Sequence, residues 1–266
     1  MRLFDYRQGH SALILSVPHA GTWIPDDIAP LLREDARCLP DTDWFVPRLY
    51  ALPGLDDATR IFAQVSRYVV DLNRPPDDAS LYPGQATTGV CPETHFDGTP
   101  VYREGWTLSS EERARRIAFY WRPYHEKLRV ELDRSIRQHG FAVLLDAHSI
   151  ASRVPRLCSG QLPDLNFGTN QGGSVSPELQ AQIEQFAARV ATQGFSSVVN
   201  GRFVGGYITR HYGNPAQQVQ AVQLEISQAA YMDEATRAWD DAKASRLQEV
   251  LAEFVAVLRE WRPGSS

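Results

Sequence analysis

The chain has 266 residues, 43% hydrophobic and 22% charged, with a formal net charge of −5. These values suit a globular protein of one large domain or two small ones, and they give no support for nucleic-acid binding. No apolar run approaches the roughly 18 residues of a membrane span, and the first residues lack the apolar core of a signal peptide. Three cysteines at 38, 91 and 158 show no Cys-x-x-Cys spacing, which argues against a disulfide framework or a zinc knuckle. The expectation is a cytoplasmic protein without a membrane partner.

The pattern alternates strand and helix. Ser11–Leu15 reads as a buried strand, followed by Ser16-Val-Pro-His-Ala-Gly21. A short helix is expected from Pro25, and Asp41 to Leu52 reads as another helix with an acidic start. Thr59–Val65 is a strand candidate, and Tyr68–Leu72 a second, shorter one. Residues 75–107 are rich in proline and glycine and show little periodicity, which predicts a long functional loop. Ser109 and Glu112 match a capping box for a helix running to about Gln138, with Pro123 expected to kink or split it. Phe141–Leu145 reads as a strand leading to Asp146-Ala-His148-Ser149. Ser176-Pro177-Glu178 opens a helix that ends at Gly194, and Gly205–Gly213 is a glycine-rich turn. Val219–Leu224 is a strand ending on Glu225, and a last helix spans about Glu234 to Trp261. No repeat or linker interrupts the chain, so residues 1–266 are expected to form a single α/β domain.

Ligands of open α/β sheets bind beyond the carboxyl ends of strands. His19, His148 and Glu225 all fall at such ends. A histidine alone is more often structural, but two at strand ends are consistent with a catalytic metal site of three protein ligands. Asp41 and Asp43 are both candidates for the third ligand, and either could instead cap the helix. Glu225, partly desolvated, is the candidate general base: it would take a proton from water and return it to a leaving nitrogen. Arginines 67, 74 and 210, with Asn73 and Tyr207 beside them, suggest an anionic small-molecule substrate, because the arginine fork suits carboxylates. Cys91 and His95, four apart in the loop, make a poor ligand pair, and Ser149 lacks a nucleophile-elbow setting. The aromatic residues of the 109–138 helix read as core.

Taken together, the chain closely resembles the N-formylglutamate amidohydrolase family. The resemblance rests on Ser16–Gly21, Leu39–Trp44, Ser66–Pro76, Leu81–Gln85, Tyr120–His125, Asp146–Ser149, Pro163–Thr169, Gly205–Gly213 and Val222–Glu225. It implies hydrolysis of N-formyl-L-glutamate to formate and L-glutamate, the last step of one route of histidine breakdown. It also implies a mixed central sheet flanked by helices, similar to zinc carboxypeptidases and aspartoacylases. A divalent metal, zinc by preference, would be held by His19, His148 and Asp43, with Asp41 in reserve. Glu225 would be catalytic, and Asn73-Arg74 would bind substrate. The compact His-x-x-Glu spacing is absent, so folding must bring in the third ligand. The alternatives are a deacylase or carboxypeptidase acting on another N-acyl acidic amino acid, or a non-catalytic carboxylate-binding protein on the same scaffold.

Overall fold

The computed structural model describes residues 2–81, 84 and 87–264. A seven-stranded mixed sheet forms the centre, with spatial order β1-β3-β2-β4-β7-β5-β6. The strands are β1 (Phe4–Arg7), β2 (Leu13–Val17), β3 (Thr59–Ala63), β4 (Ala142–Ile150), β5 (Leu165–Gly168), β6 (Ser197–Val199) and β7 (Val219–Ser227). β3, β2, β4 and β7 run parallel; β1 pairs antiparallel with β3 and β5 antiparallel with β7, while β6 runs parallel to β5. Met232–Asp233 (β8) and Ala238–Trp239 (β9) form a separate two-stranded hairpin. The helices are α1 (Glu34–Arg37), α2 (Val46–Leu49), α3 (Ser110–Arg116), α4 (Arg122–His139), α5 (Pro177–Val190), α6 (Tyr207–Tyr212) and α7 (Asp241–Glu260).

Alternation along the central strands assigns each residue to a face. Leu13, Leu15, Val17, Val143, Leu145, Ala147, Val222, Leu224 and Ile226 share one apolar face with α5 and α7 side chains such as Phe186, Leu247 and Phe254. Full burial of a side chain like Phe254 is worth about 1.5–3 kcal/mol. The other face starts apolar, with Ile14, Ala142, Leu144 and Ala221 against Tyr124, Leu128 and Leu132 of α4. In its C-terminal half the same face turns polar, through Ser16, Asp146, His148, Gln223 and Glu225. All five of these residues are buried.

Local chemistry explains the helix ends. Ser109 Oγ accepts from Glu112 N at 3.1 Å, and Ser176 Oγ accepts from Leu179 N at 3.3 Å. Each such cap contributes about 1 kcal/mol. Between α3 and α4 lies one π-helical turn, Ile117–Trp121. Pro123 follows at once; the wider turn carries the helix past the residue that cannot donate a backbone bond.

Four expected elements differ. Asp41–Leu52 is helical only over Val46–Leu49, because Phe45 takes a left-handed φ of 60° and breaks the chain just after Asp43. Tyr68–Leu72 is a turn rather than a strand, closed by Val69 N to Ser66 O at 2.9 Å. The last helix begins at Asp241, capped by Asp240, since the hairpin occupies residues 232–239. The Gly205–Gly213 stretch contains the helix α6. Strands β4 and β7 also run past the histidine and glutamate expected to end them, to Ile150 and Ser227.

Candidate active site

The polar half-face of the sheet is the floor of the site. In the β4–β7 register Asp146 lies opposite Gln223 and His148 opposite Glu225. His19 arrives two residues beyond β2, and its carbonyl accepts from Asp43 N at 3.1 Å, which brings Asp43 onto the floor. Asp43 Oδ2 lies 3.0 Å from His148 Nδ1 and 3.8 Å from His19 Nδ1. The three side chains are buried, and one ligand atom from each falls within 4.8 Å of the others.

Each imidazole is held from behind. His19 Nε2 lies 2.7 Å from Asp71 Oδ1, and His148 Nε2 lies 3.0 Å from Asp146 Oδ2. A proton on Nε2, donated to the carboxylate, leaves the Nδ1 lone pair facing Asp43. This is the outer-partner arrangement usual for histidine metal ligands. Two nitrogens and one carboxylate oxygen match the donor set of a catalytic zinc site.

The electrostatics agree. Burial opposes a charge on His148, but Asp146 and Asp43 outweigh it and raise its proton affinity well above that of ordinary imidazole. A site with that field attracts a cation. His19 shifts the other way, lowered by burial and by Arg67 despite Asp71. Burial also opposes ionisation of Asp71, yet His19 and Arg67 hold it well below the usual carboxylate range. For Glu225, burial is the leading cause and pushes the carboxyl up to about 8; His148 opposes it, while Asp43 adds to the rise.

Asn73 connects floor and wall. Its Nδ2 donates to Asp146 Oδ2 at 3.0 Å and lies 2.9 Å from His148 Nε2, while its Oδ1 accepts from Ile208 N at 2.7 Å. Gly206 makes room for this amide: a Cβ there would stand 2.4 Å from Asn73 Nδ2. Gly206 N donates to Gln223 Oε1 at 2.7 Å, which leaves the Gln223 amino group 3.5 Å from Glu225 Oε2.

These groups line a pocket with an empty volume of about 660 Å³. His19, Asp43, His148, Glu225, Asn73, Arg67 and Arg74 all line it. Arg67 is buried, bonded to Asp71 Oδ2 at 2.7 Å and to the Asp41 carbonyl at 3.2 Å, so it balances carboxylates within the fold. Arg74 donates to the carbonyls of Thr88 and Asn73. Asp41 stands apart from the cluster; its Oδ2 accepts from Phe96 N at 2.9 Å. Neither Asp41 nor Asp43 caps a helix.

Two expected residues lie elsewhere. Arg210 does not line the pocket: it donates to Gly205 O at 2.8 Å and Leu81 O at 2.9 Å, fastening the loop to α6. Tyr207 is also outside the lining, and its ring stacks on His211 with centroids 4.7 Å apart. From the proline–glycine loop Thr87, Thr88 and Phe96 reach the pocket. Tyr82, Pro83 and Gln85 of the Leu81–Gln85 motif lie outside the described residues. The arginines at 156 and 202 do line the pocket and were not expected there. Arg156 carried a usable signal, since it sits in the loop that follows the His148 strand. The backing role of Asp71 was also missed, although it stands two residues before Asn73.

The family model described as N-formylglutamate amidohydrolase matches residues 11–232. An N-formylglutamate deformylase of Pseudomonas aeruginosa is 48% identical over 260 residues, covering 97% of each chain. Its counterpart from Pseudomonas putida is 46% identical over 261 residues, covering 98% of this chain and 97% of the relative. The crystal structure of an N-formylglutamate amidohydrolase from Ralstonia eutropha JMP134 superposes with a TM-score of 0.80 at 24% identity, over 97% of this chain and 99% of that one. With a matched family model over most of its length and relatives near half identity end to end, the chain belongs to the N-formylglutamate amidohydrolase family.

Proposed function

We propose that the protein hydrolyses N-formyl-L-glutamate to formate and L-glutamate with the help of one divalent metal, zinc by its donor set. The observation that carries this reading is the direct pairing of His148 with Glu225 across β4 and β7, beside Asp43 and His19. His19 Nδ1, His148 Nδ1 and Asp43 Oδ2 would hold the metal, which supplies Lewis-acid polarisation and activation of water.

The chain's own residues do the rest. Glu225 takes a proton as water adds its oxygen to the formyl carbon, and it delivers a proton to the nitrogen as the carbon–nitrogen bond breaks. A carboxyl with proton affinity near neutral pH suits both transfers. Asp71 and Asp146 orient the two imidazoles, Arg67 offsets the buried carboxylates, and Asn73 ties His148 to α6. Arg74, in the pocket lining, would receive a substrate carboxylate. Release of free glutamate from N-formyl-, N-acetyl- and N-succinyl-glutamate, and of free aspartate from the matching aspartates, tests the reading directly. Turnover of N-formylglutamate well above the others is expected; preference for an acetyl group would move the assignment to a different deacylase.

The outer carboxylates give a separate test. Asp71→Asn and Asp146→Asn keep shape and remove charge. Each is expected to weaken zinc binding by about 10–100-fold, with activity recovered at excess zinc. Unchanged zinc affinity in both would remove these aspartates from the site.

Glu225 also makes the metal-stripped protein pH-sensitive. Its folded carboxyl titrates at about 8, against about 4.3 when unfolded. Between those values the folded state keeps a proton that the unfolded state releases, so stability from this group falls as pH rises through that window. Stripped Glu225→Gln protein should therefore exceed stripped wild type in stability at pH 8.5, on the order of a few kcal/mol. The gap should be much smaller near pH 4. Urea unfolding at the two pH values measures it, and a gap independent of pH would contradict the burial argument.

A further inference from the structure

The lining of the pocket holds four arginines and two carboxylates. Arg67 is committed to Asp71 within the fold. Arginines 74, 156 and 202 also line the pocket and come from different segments. Arg74 follows Asn73, whose amide touches His148, so it stands on the metal-ligand side. Arg156 lies in the loop after β4, and Arg202 in the loop after β6. The two are neighbours, since Arg202 Nε donates at 2.8 Å to the carbonyl of Leu157, the residue after Arg156.

Arg156 lines the pocket from an exposed position. Its side chain lies over Gly98, where a Cβ would come 3.5 Å from Arg156 Cδ. Its Nη1 lies 3.4 Å from Thr94 Oγ1 and from His95 O, both neutral oxygens. Among the described residues neither Arg74 nor Arg156 forms an ion pair with a carboxylate. Beside the corner the pocket is apolar, with Phe203, Leu157, Ile150 and Phe96.

We propose that Arg156 and Arg202 form the specificity corner that binds the side-chain carboxylate of the substrate, while Arg74 receives its α-carboxylate. The assignment follows from covalent geometry and rests on the deformylase reading for its substrate. The α-carboxylate is attached to the carbon that bears the scissile nitrogen, so it must stay near the metal ligands, where Arg74 is. The side-chain carboxylate lies two methylenes further out, and those methylenes need an apolar wall. A guanidinium pair binds a carboxylate through charge-assisted forks, and an amide in its place loses that gain. The corner therefore selects an N-acyl amino acid with an acidic side chain over its neutral amide.

Arg156→Gln and Arg202→Gln test this. Two readouts are taken on zinc-loaded protein: calorimetric binding of L-glutamate and L-glutamine, and formate release from N-formyl-L-glutamate and N-formyl-L-glutamine. Wild type is expected to prefer the acid in both. Each variant is expected to lose tenfold or more on the acid, with the preference over the amide collapsing and the thermal midpoint of unfolding kept. Equal losses on acid and amide, or an intact preference, would overturn the corner. If wild type releases no formate yet prefers glutamate, and the variants erase that preference, the corner stands and the deformylase reading falls. If wild type releases formate and the variants keep the acid preference, the reverse holds.

Discussion

Glu225→Gln is expected to lower formate release from N-formylglutamate by roughly a hundredfold or more while zinc stays bound. The substitution keeps size and hydrogen bonding but removes the group that takes up a proton. Glu225 is buried beside Gln223 and directly opposite His148 on the neighbouring strand, so the amide fits the same space. It is not among the three clustered candidate ligands, which is why zinc content should not change. Turnover near the wild-type rate in a zinc-loaded variant would move the proton transfers to another residue.

Asp43→Asn has the second large effect. The amide can still accept from Ser149 N, which Asp43 Oδ2 does now at 3.2 Å, so the local fold has a substitute partner. What is lost is the one negative ligand between His19 and His148. Zinc affinity should fall beyond the roughly 10–100-fold expected of the outer aspartates. Several kcal/mol of Lewis-acid stabilisation go with the metal, so activity should fall on the order of a thousandfold at limiting zinc. Zinc content after dialysis, measured beside the unfolding midpoint of stripped protein, separates a lost ligand from a lost fold. Full zinc retention would assign the third ligand elsewhere.

The parts of this site that could be read in the sequence are those carried by the central strands. Apolar runs pointed to His19, His148 and Glu225 because a buried strand must surface somewhere, and its polar residues mark the place. The α/β sheet followed from the same runs, and its mixed character from the family resemblance. The strand Tyr68–Leu72 did not form, although Val69 and Val70 have strong strand character. Their side chains enter two separate apolar clusters from a turn, a use that period-two reasoning cannot see. The helix expected from Asp41 failed for a related reason: Asp43 is bonded to the His19 carbonyl, and the left-handed Phe45 two residues on costs local regularity. Strand β5 had no legible pattern, since Leu165-Asn-Phe-Gly168 is buried on both faces with its Asn166 amide bonded to carbonyls of Pro163 and Glu225.

Arginines outside the central strands were read least well. Arg210 stood beside two glycines and looked like a substrate ligand, but it secures Leu81 and Gly205 through their carbonyls. Arg156 and Arg202 stand in none of the motifs singled out in the sequence. The packing of two loops, joined at the Leu157 carbonyl, brings both into the lining of the pocket. Side-chain direction in loops depends on such contacts, and no spacing rule encodes them.

Stoichiometric reconstitution tests the central claim most directly. Protein stripped with a chelator is titrated with zinc while formate release from N-formylglutamate is followed. Activity is expected to be absent at the start, to rise linearly, and to level off at one zinc per chain. Full activity in the stripped protein, or no recovery at any zinc concentration, would contradict a site built on His19, Asp43 and His148.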